Sequence, residues 1–171
     1  ALRLIHEHIL EPARLSVKKQ FTDQPVIEAH LLQAIALTLS KLGLLKESLE
    51  PQARVIELRD SELGRKHPET IESLEWQASL FLELDRTDEA AELLDEIITH
   101  KRETLGNDHR DTLRSRAIYT QVLWRQHKLD ESLASTAELL ESQRRVLGNE
   151  DVQTLATMNG RAVLLKYKGN Y

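Results

Sequence analysis

An all-α array of antiparallel helix pairs is the fold class that this sequence predicts, on three observations. First, one segment returns at a fixed interval. Leu63-Gly64-Arg65-Lys66-His67-Pro68-Glu69-Thr70 recurs as Leu105-Gly106-Asn107-Asp108-His109-Arg110-Asp111-Thr112, and again as Leu147-Gly148-Asn149-Glu150-Asp151-Val152-Gln153-Thr154. The glycines stand 42 residues apart. Second, apolar residues between these segments recur at helical spacing, with no useful β-alternation. Third, 171 residues contain 6 Gly, 4 Pro and 4% aromatics, a composition that favours helix over sheet. One helix pair cannot bury its apolar face alone, so neighbouring pairs must supply the rest of the core.

The leading region, 1–20, carries an apolar stripe of Leu2, Ile5, Ile9, Leu15 and Val17. It reads as a helix over about 2–19 that caps the first repeat, with Pro12 marking a break or kink. Copy one, 21–62, is degenerate. Its Phe21–Glu28 segment only loosely matches the later copies, whereas Gly43-Leu44-Leu45-Lys46-Glu47-Ser48 aligns with Asp85-Arg86-Thr87-Asp88-Glu89-Ala90. Helices are expected over about 25–42 and 45–62. The 26–39 run is apolar almost all round, which predicts burial on several faces.

Copy two, 63–104, predicts helices over about 68–84 and 87–105. Ile71, Leu74, Ala78, Phe81 and Leu82 form one face; Ala90, Leu93, Leu94, Ile97 and Ile98 form the next. Pro68 suits a first helical turn, where its missing N–H costs nothing. Copy three, 105–146, repeats this over about 110–126 and 129–147, with Leu113, Ala117 and Leu123, then Leu133, Ala137, Leu139 and Leu140. Copy four, 147–171, holds a first helix over about 151–168 and then begins a turn at Gly169-Asn170-Tyr171. Gly64, Gly106 and Gly148 follow cationic last turns, which predicts left-handed helix caps. The chain reads as a piece of a longer protein.

The composition also excludes functions. Cys is 0, which removes disulfide scaffolds, thiolate metal sites and Cys nucleophiles, and fits a reducing, cytoplasmic setting. The net charge of −5 speaks against a broad nucleic-acid footprint. No apolar stretch is long enough to span a membrane. No phosphate-cradling loop or catalytic signature is present, so no cofactor is expected. His6 and His8 diverge on a helix, and Glu96 with His100 lacks the further convergent ligands a metal needs. His67 and His109 read as helix caps or packing residues, and Glu72/Glu75 and Asp88/Glu89 as solvated faces. Arg144-Arg145 reads as a cationic last turn and Trp76 as a packing residue.

Leu-Gly-x-x-His-Pro-x-Thr, a small residue in the first helix and Asp-Glu-Ala opening the second resemble the 42-residue tetratricopeptide repeat of kinesin light chains, across about 21–171. Ala36, Ala78 and Ala162 match the family's small crossing residue, where Thr120 departs. Ala90 matches the small residue of the second helix, with Ser48 and Ser132 as tolerable replacements. Gly43 and Gly169 match its turn glycine, where Asp85 and His127 stand instead. Asn159 alone matches an Asn pair in the first helix. The segment Phe21–Ala29 with Leu42-Gly43 resembles repeat arms that follow serine/threonine kinase domains in some bacteria.

The resemblance implies a right-handed α-α superhelix whose first helices line a concave groove for a protein or peptide. Carried over by register, the groove candidates are His30, Gln33, Leu37 and Ser40; Glu72, Glu75, Ser79 and Leu82; Arg114, Ala117, Gln121 and Trp124; and Ala156, Asn159, Val163 and Lys166. Trp124 is of the residue type that dominates binding hot spots. A polarity from Glu72 and Glu75 to Arg114 and Lys166, with Arg125 nearby, would orient an extended peptide. The implied role is a non-catalytic docking or regulatory arm of a larger bacterial serine/threonine kinase. A free-standing adaptor and an oligomerisation element are the alternatives, the last through an uncovered face of 151–168 carrying Leu155, Ala162, Leu164 and Leu165.

Overall fold

A computed structural model describes residues 2–169. Ala1, the Asn170-Tyr171 part of the fourth turn and the side chain of Leu2 lie outside the described residues. The chain divides into two compact units, Ala1–Leu84 and Asp85–Tyr171. Among the described residues every regular element is helical.

The first unit holds α1 (Leu2–Ile5), a π-helical turn (His6–Leu10), α2 (Glu11–Gln20), α3 (Pro25–Lys41), α4 (Leu45–Leu63) and α5 (Pro68–Glu83). The break expected at Pro12 is a loosened turn instead. Pro12 sits in the first turn of α2 and has no N–H for the carbonyl four residues back, and the π-turn lies just upstream. The leading stripe is mostly not buried: Ile5, Ile9 and Leu15 are exposed. Val17 packs against Ala29, Leu32, Val55 and Leu58, and Arg14 ties α2 to α4 through Glu50 at 2.6 Å.

Helix α3 also departs from expectation. Ala29, Leu32, Ala36 and Leu39 are buried, but Val26, Ile27, Leu31 and Leu37 are exposed. One face is covered rather than several, because α4 packs along that single i, i+3, i+7, i+10 stripe. Pro51 lies inside α4, buried, at the loss of one backbone hydrogen bond. The α3–α4 turn closes on Gly43 at φ +77°, with the Leu44 N–H returning to the Leu39 carbonyl at 2.9 Å.

The second unit holds α6 (Thr87–Leu105), α7 (Arg110–Arg125), α8 (Leu129–Val146) and α9 (Val152–Gly169). Its core is Ala90, Leu94, Ile97, Leu113, Val122, Leu139 and their neighbours. Arg116 occupies the register position of Leu32 and Leu74. Burial, then the nearby Arg102, pull its guanidinium below its ordinary range. On α9, Leu155, Ala162 and Leu165 are exposed, but Leu164 is buried. Leu164 therefore leaves the uncovered face predicted for it, because its register turns it toward the cavity bordered by α7 and α8.

The caps follow the 42-residue column. His67 Nδ1 accepts from the Glu69 N–H at 3.3 Å and His109 Nδ1 from the Asp111 N–H at 3.2 Å. Asp151 Oδ1 does the same for the Gln153 N–H at 2.9 Å. That backbone bond, then Arg110, holds the Asp151 carboxyl below its ordinary pKa. At two of the three sites, Gly64 and Gly106, the predicted left-handed glycine caps are corrected. Gly64 (φ 91°, ψ 156°) and Gly106 (φ 94°, ψ 161°) are extended at positive φ, a conformation essentially confined to glycine. Each still donates its N–H four residues back, to Asp60 and Arg102.

Candidate functional site

The best-formed concavity is in the second unit, between α7, α8 and α9, with a volume of about 410 Å³. Helices α7 and α9 form its two walls and α8 its floor. The α7 wall presents Arg114, Ala117, Ile118, Gln121 and Trp124, an i, i+3, i+4, i+7, i+10 stripe. The stripe rises about 15 Å along the helix. Opposite it stand Ala156, Gly160 and Val163, and beneath it Ser132 and Thr136. The trough exists because the floor and the far wall are built from small residues at the crossing points.

The floor offers few donors. Ser132 Oγ donates to the Thr120 carbonyl at 2.9 Å, and Thr136 Oγ1 to the Ser132 carbonyl at 2.6 Å. Thr120 Oγ1 donates to the Ala117 carbonyl at 2.8 Å. A ligand here would gain chiefly from apolar burial, with polar direction supplied at the rim. Arg114 is exposed at one end, 3.4 Å from Asp111. Trp124 is half-buried at the other, its ring 4.7 Å from that of Tyr167 at an interplanar angle of 60°. That edge contact, worth about 1 kcal/mol, holds the indole in place. Trp124 is thus both packed and part of the cavity lining.

The second unit brings Arg114, Ala117, Gln121, Trp124, Ala156 and Val163 around one trough. Asn159 and Lys166 are exposed on α9 but do not line it. In the first unit the candidates do not gather. Leu37, His30 and Glu72 are exposed and Ser40 is half-buried. Ser79 donates to the Glu75 carbonyl at 3.1 Å. Gln33 is engaged structurally, donating to Gln52 and accepting from Arg59, each at 3.3 Å. Glu75 and Leu82 are 7% and 6% exposed and so present no open surface. Register on a helix fixes which residues share a face, not whether that face is covered. Sequence reasoning missed Ile118, Gly160, Tyr167 and the α8 floor. The small-residue column Ser48, Ala90, Ser132 was the available signal for that floor.

Among the described residues no group of three His, Cys, Asp or Glu side chains could hold a metal ion. Among the described residues no helix is long and apolar enough to cross a membrane.

Residues 29–69 match the family model described as tetratricopeptide repeat. The matched span starts inside α3, takes in α4 and ends at Glu69 in the first turn of α5. The fold is that of tetratricopeptide-repeat proteins. A single-residue variant of a kinesin-light-chain-type protein of Podosopora anserina, with nearly identical TPR-like repeats, superposes at a TM-score of 0.65. It shares 18% identity over 96% of this chain and 89% of its own. The BtubC (BKLC) protein of P. vanneervenii superposes at 0.70, with 17% identity over 98% of this chain and 67% of its own. A second Podosopora anserina structure of the same kind gives 0.63, with 18% identity over 94% and 87%. No curated protein matches the chain in sequence. Repeats of this kind form protein-interaction modules, on a fold that is typically non-catalytic.

Proposed function

We propose that the chain binds a peptide segment of a partner protein in the trough between α7, α8 and α9. One observation carries this reading. An apolar cavity of about 410 Å³ runs between an exposed guanidinium, Arg114, and a half-buried indole, Trp124. An apolar cavity with a few polar groups at its rim is the usual form of a binding site, and Trp and Arg are the usual anchors. The segment that fits is extended, with an apolar side chain for the small-residue floor and a carboxylate for Arg114.

A random peptide library displayed on phage and panned against the protein tests this. Enriched peptides should lose binding to Trp124→Ala by at least about tenfold and to Arg114→Glu by a similar factor. Enriched peptides that bind both variants as they bind the parent would overturn the reading.

The module acts as a docking or regulatory arm of a larger signalling enzyme in a reducing cytoplasm. The support is the resemblance of Phe21–Ala29 to arms that follow bacterial serine/threonine kinase domains, together with the absence of Cys. Sequencing the reading frame upstream of Ala1 tests this. A Gly-rich loop, a catalytic-loop Asp and Asn and an Asp-Phe-Gly would support it. A frame encoding no enzyme would leave a free-standing adaptor.

A further inference from the structure

The trough also has the chemistry of a small-molecule site. Helices α7 and α9 touch each other and α8 packs on both, so every side that bounds it is in place. Its middle spends its donors internally. The hydroxyls of Thr120, Ser132 and Thr136 each donate to a carbonyl of the chain. Ala117, Ile118, Ala156, Gly160 and Val163 supply most of the remaining surface there. A main chain lying against this stretch would find few partners for an N–H and a C=O at every residue. An alkyl chain needs none and gains from the burial.

Charge is confined to one end. Among the described residues that line the trough, Arg114 is the one with a charged side chain. Its contact with Asp111, 3.4 Å, is exposed. Exposed pairs hold weakly, so a second carboxylate can share the guanidinium fork. At the other end the half-buried Trp124 indole is held by Tyr167.

Length and volume agree with this reading. The α7 stripe from Arg114 to Trp124 rises about 15 Å. Bonds of about 1.52 Å at about 111° advance an alkyl chain by about 1.25 Å per carbon, so a ten-carbon acid is about 11 Å long. A charge-assisted contact of about 2.8 Å to Arg114 then brings the terminal methyl to the indole. The cavity's volume of about 410 Å³ falls in the range of small-molecule sites, roughly 300–1,000 Å³.

We propose that the trough binds a small amphipathic carboxylate, a linear acyl chain of about ten carbons. Its carboxylate sits on Arg114 and its methyl end against Trp124. This ligand takes the ground of the peptide segment and displaces it; only the displacement rests on the peptide-binding reading.

Sodium decanoate, titrated into the full chain below its micelle concentration, should bind saturably one to one in calorimetry. Arg114→Glu should weaken it by at least about fivefold. 1-Decanol lacks the charge and should bind the parent and Arg114→Glu alike. Ala156→Phe adds a ring at an exposed position of the α9 wall, so its circular dichroism should match the parent. It should weaken decanoate and decanol alike, by at least about tenfold. No saturable decanoate binding would overturn the proposal, as would binding undiminished in Ala156→Phe. Equal decanoate affinity in the parent and Arg114→Glu would also overturn it. Phage-enriched peptides that need Trp124 and Arg114, on a chain that binds no decanoate, would leave the peptide reading standing and remove this one. Decanoate binding with no peptide enriched would do the reverse.

Discussion

The junctions α4–α5 and α8–α9 are the same joint at opposite ends of the repeat series, and they are finished differently. At the first, Arg59 reaches across to Ser73 Oγ at 2.5 Å and to the Glu69 carbonyl and Gln33 at 3.3 Å. Beside it, Gln52 Nε2 donates to the Ser73 carbonyl at 2.7 Å. At the middle joint, α6–α7, Lys101 Nζ meets Ser115 Oγ at 3.2 Å. At α8–α9 the column holds Gln143, fully buried, and neither its Nε2 nor its Oε1 has a hydrogen-bond partner. Thr154 Oγ1 in the same joint is unpartnered, but so is its counterpart Thr70 at α4–α5, and only Thr112 at α6–α7 has a partner, donating to the Gly106 carbonyl at 2.9 Å. A repeat therefore preserves the packing at a position more faithfully than the polar chemistry there. A side chain too short or too neutral for its column keeps the burial and loses the bond.

The largest expected effect breaks the well-made joint. Arg59→Ala removes three hydrogen bonds of the joint at once, to Ser73, Gln33 and the Glu69 carbonyl, and should cost about 3 kcal/mol, read as a lowered urea midpoint. If the loss is under about 0.5 kcal/mol, the contrast between the joints has no energetic content. Arg54→Ala should cost about 2 kcal/mol. It leaves Glu28, 1% exposed, without the guanidinium 2.9 Å away. Arg54 is itself 38% exposed, so the full cost of a deeply buried pair does not apply. Repair of the poor joint is the next test. Gln143→Leu removes two unsatisfied buried atoms and should add about 1 to 2 kcal/mol, or roughly 2–6 °C in Tm. An unchanged or lower Tm would mean that Gln143 is satisfied in solution.

Two smaller effects sharpen the comparison at turns and caps. His127 sits at φ +60°, where the α3–α4 turn has Gly43. His127→Gly should stabilise by up to about 1 kcal/mol, since a left-handed Cβ is removed. Asp151 caps α9 where His67 and His109 cap α5 and α7, and its pKa is lowered by the Gln153 N–H and then by Arg110. A depressed carboxyl contributes stability above its ordinary value of 3.8, and loses it as pH falls through the lower folded value. Asp151→Asn keeps a capping oxygen but loses the charge, so it should flatten that acid limb in pH-dependent unfolding and lower neutral stability toward the parent's acid-side value. A limb of the same steepness in the variant would locate the effect elsewhere.

The helices from α3 onward were legible because two signals agreed: apolar period 3.6, and Gly or His-Pro punctuation at 42 residues. Bounds fell within one residue of expectation, as with α6 at Thr87–Leu105. What the sequence concealed was coverage and conformation. Glu75 and Leu82 share a face with exposed residues of α5 but are buried. Gly64 and Gly106 end their helices as their position suggests, at a ψ no sequence pattern specifies. Gln143 reads as a surface residue until it is placed in the column of Arg59 and Lys101. The trough was half legible. Its α7 wall follows from register, but its floor depends on how closely three helices cross.

Gly160 stands in the wall of that trough, in mid-helix, with nothing within 4 Å of where a Cβ would be placed. A good helix former there, such as Ala or Leu, would improve α9 by up to about 0.8 kcal/mol on helix propensity alone. It would also grow into the space a ligand needs, as a competitor written into the chain. A screen that rewards heat resistance would keep Gly160→Leu, and a screen that rewards binding would discard it. Disagreement between those two screens at one codon would mark the trough as occupied in use.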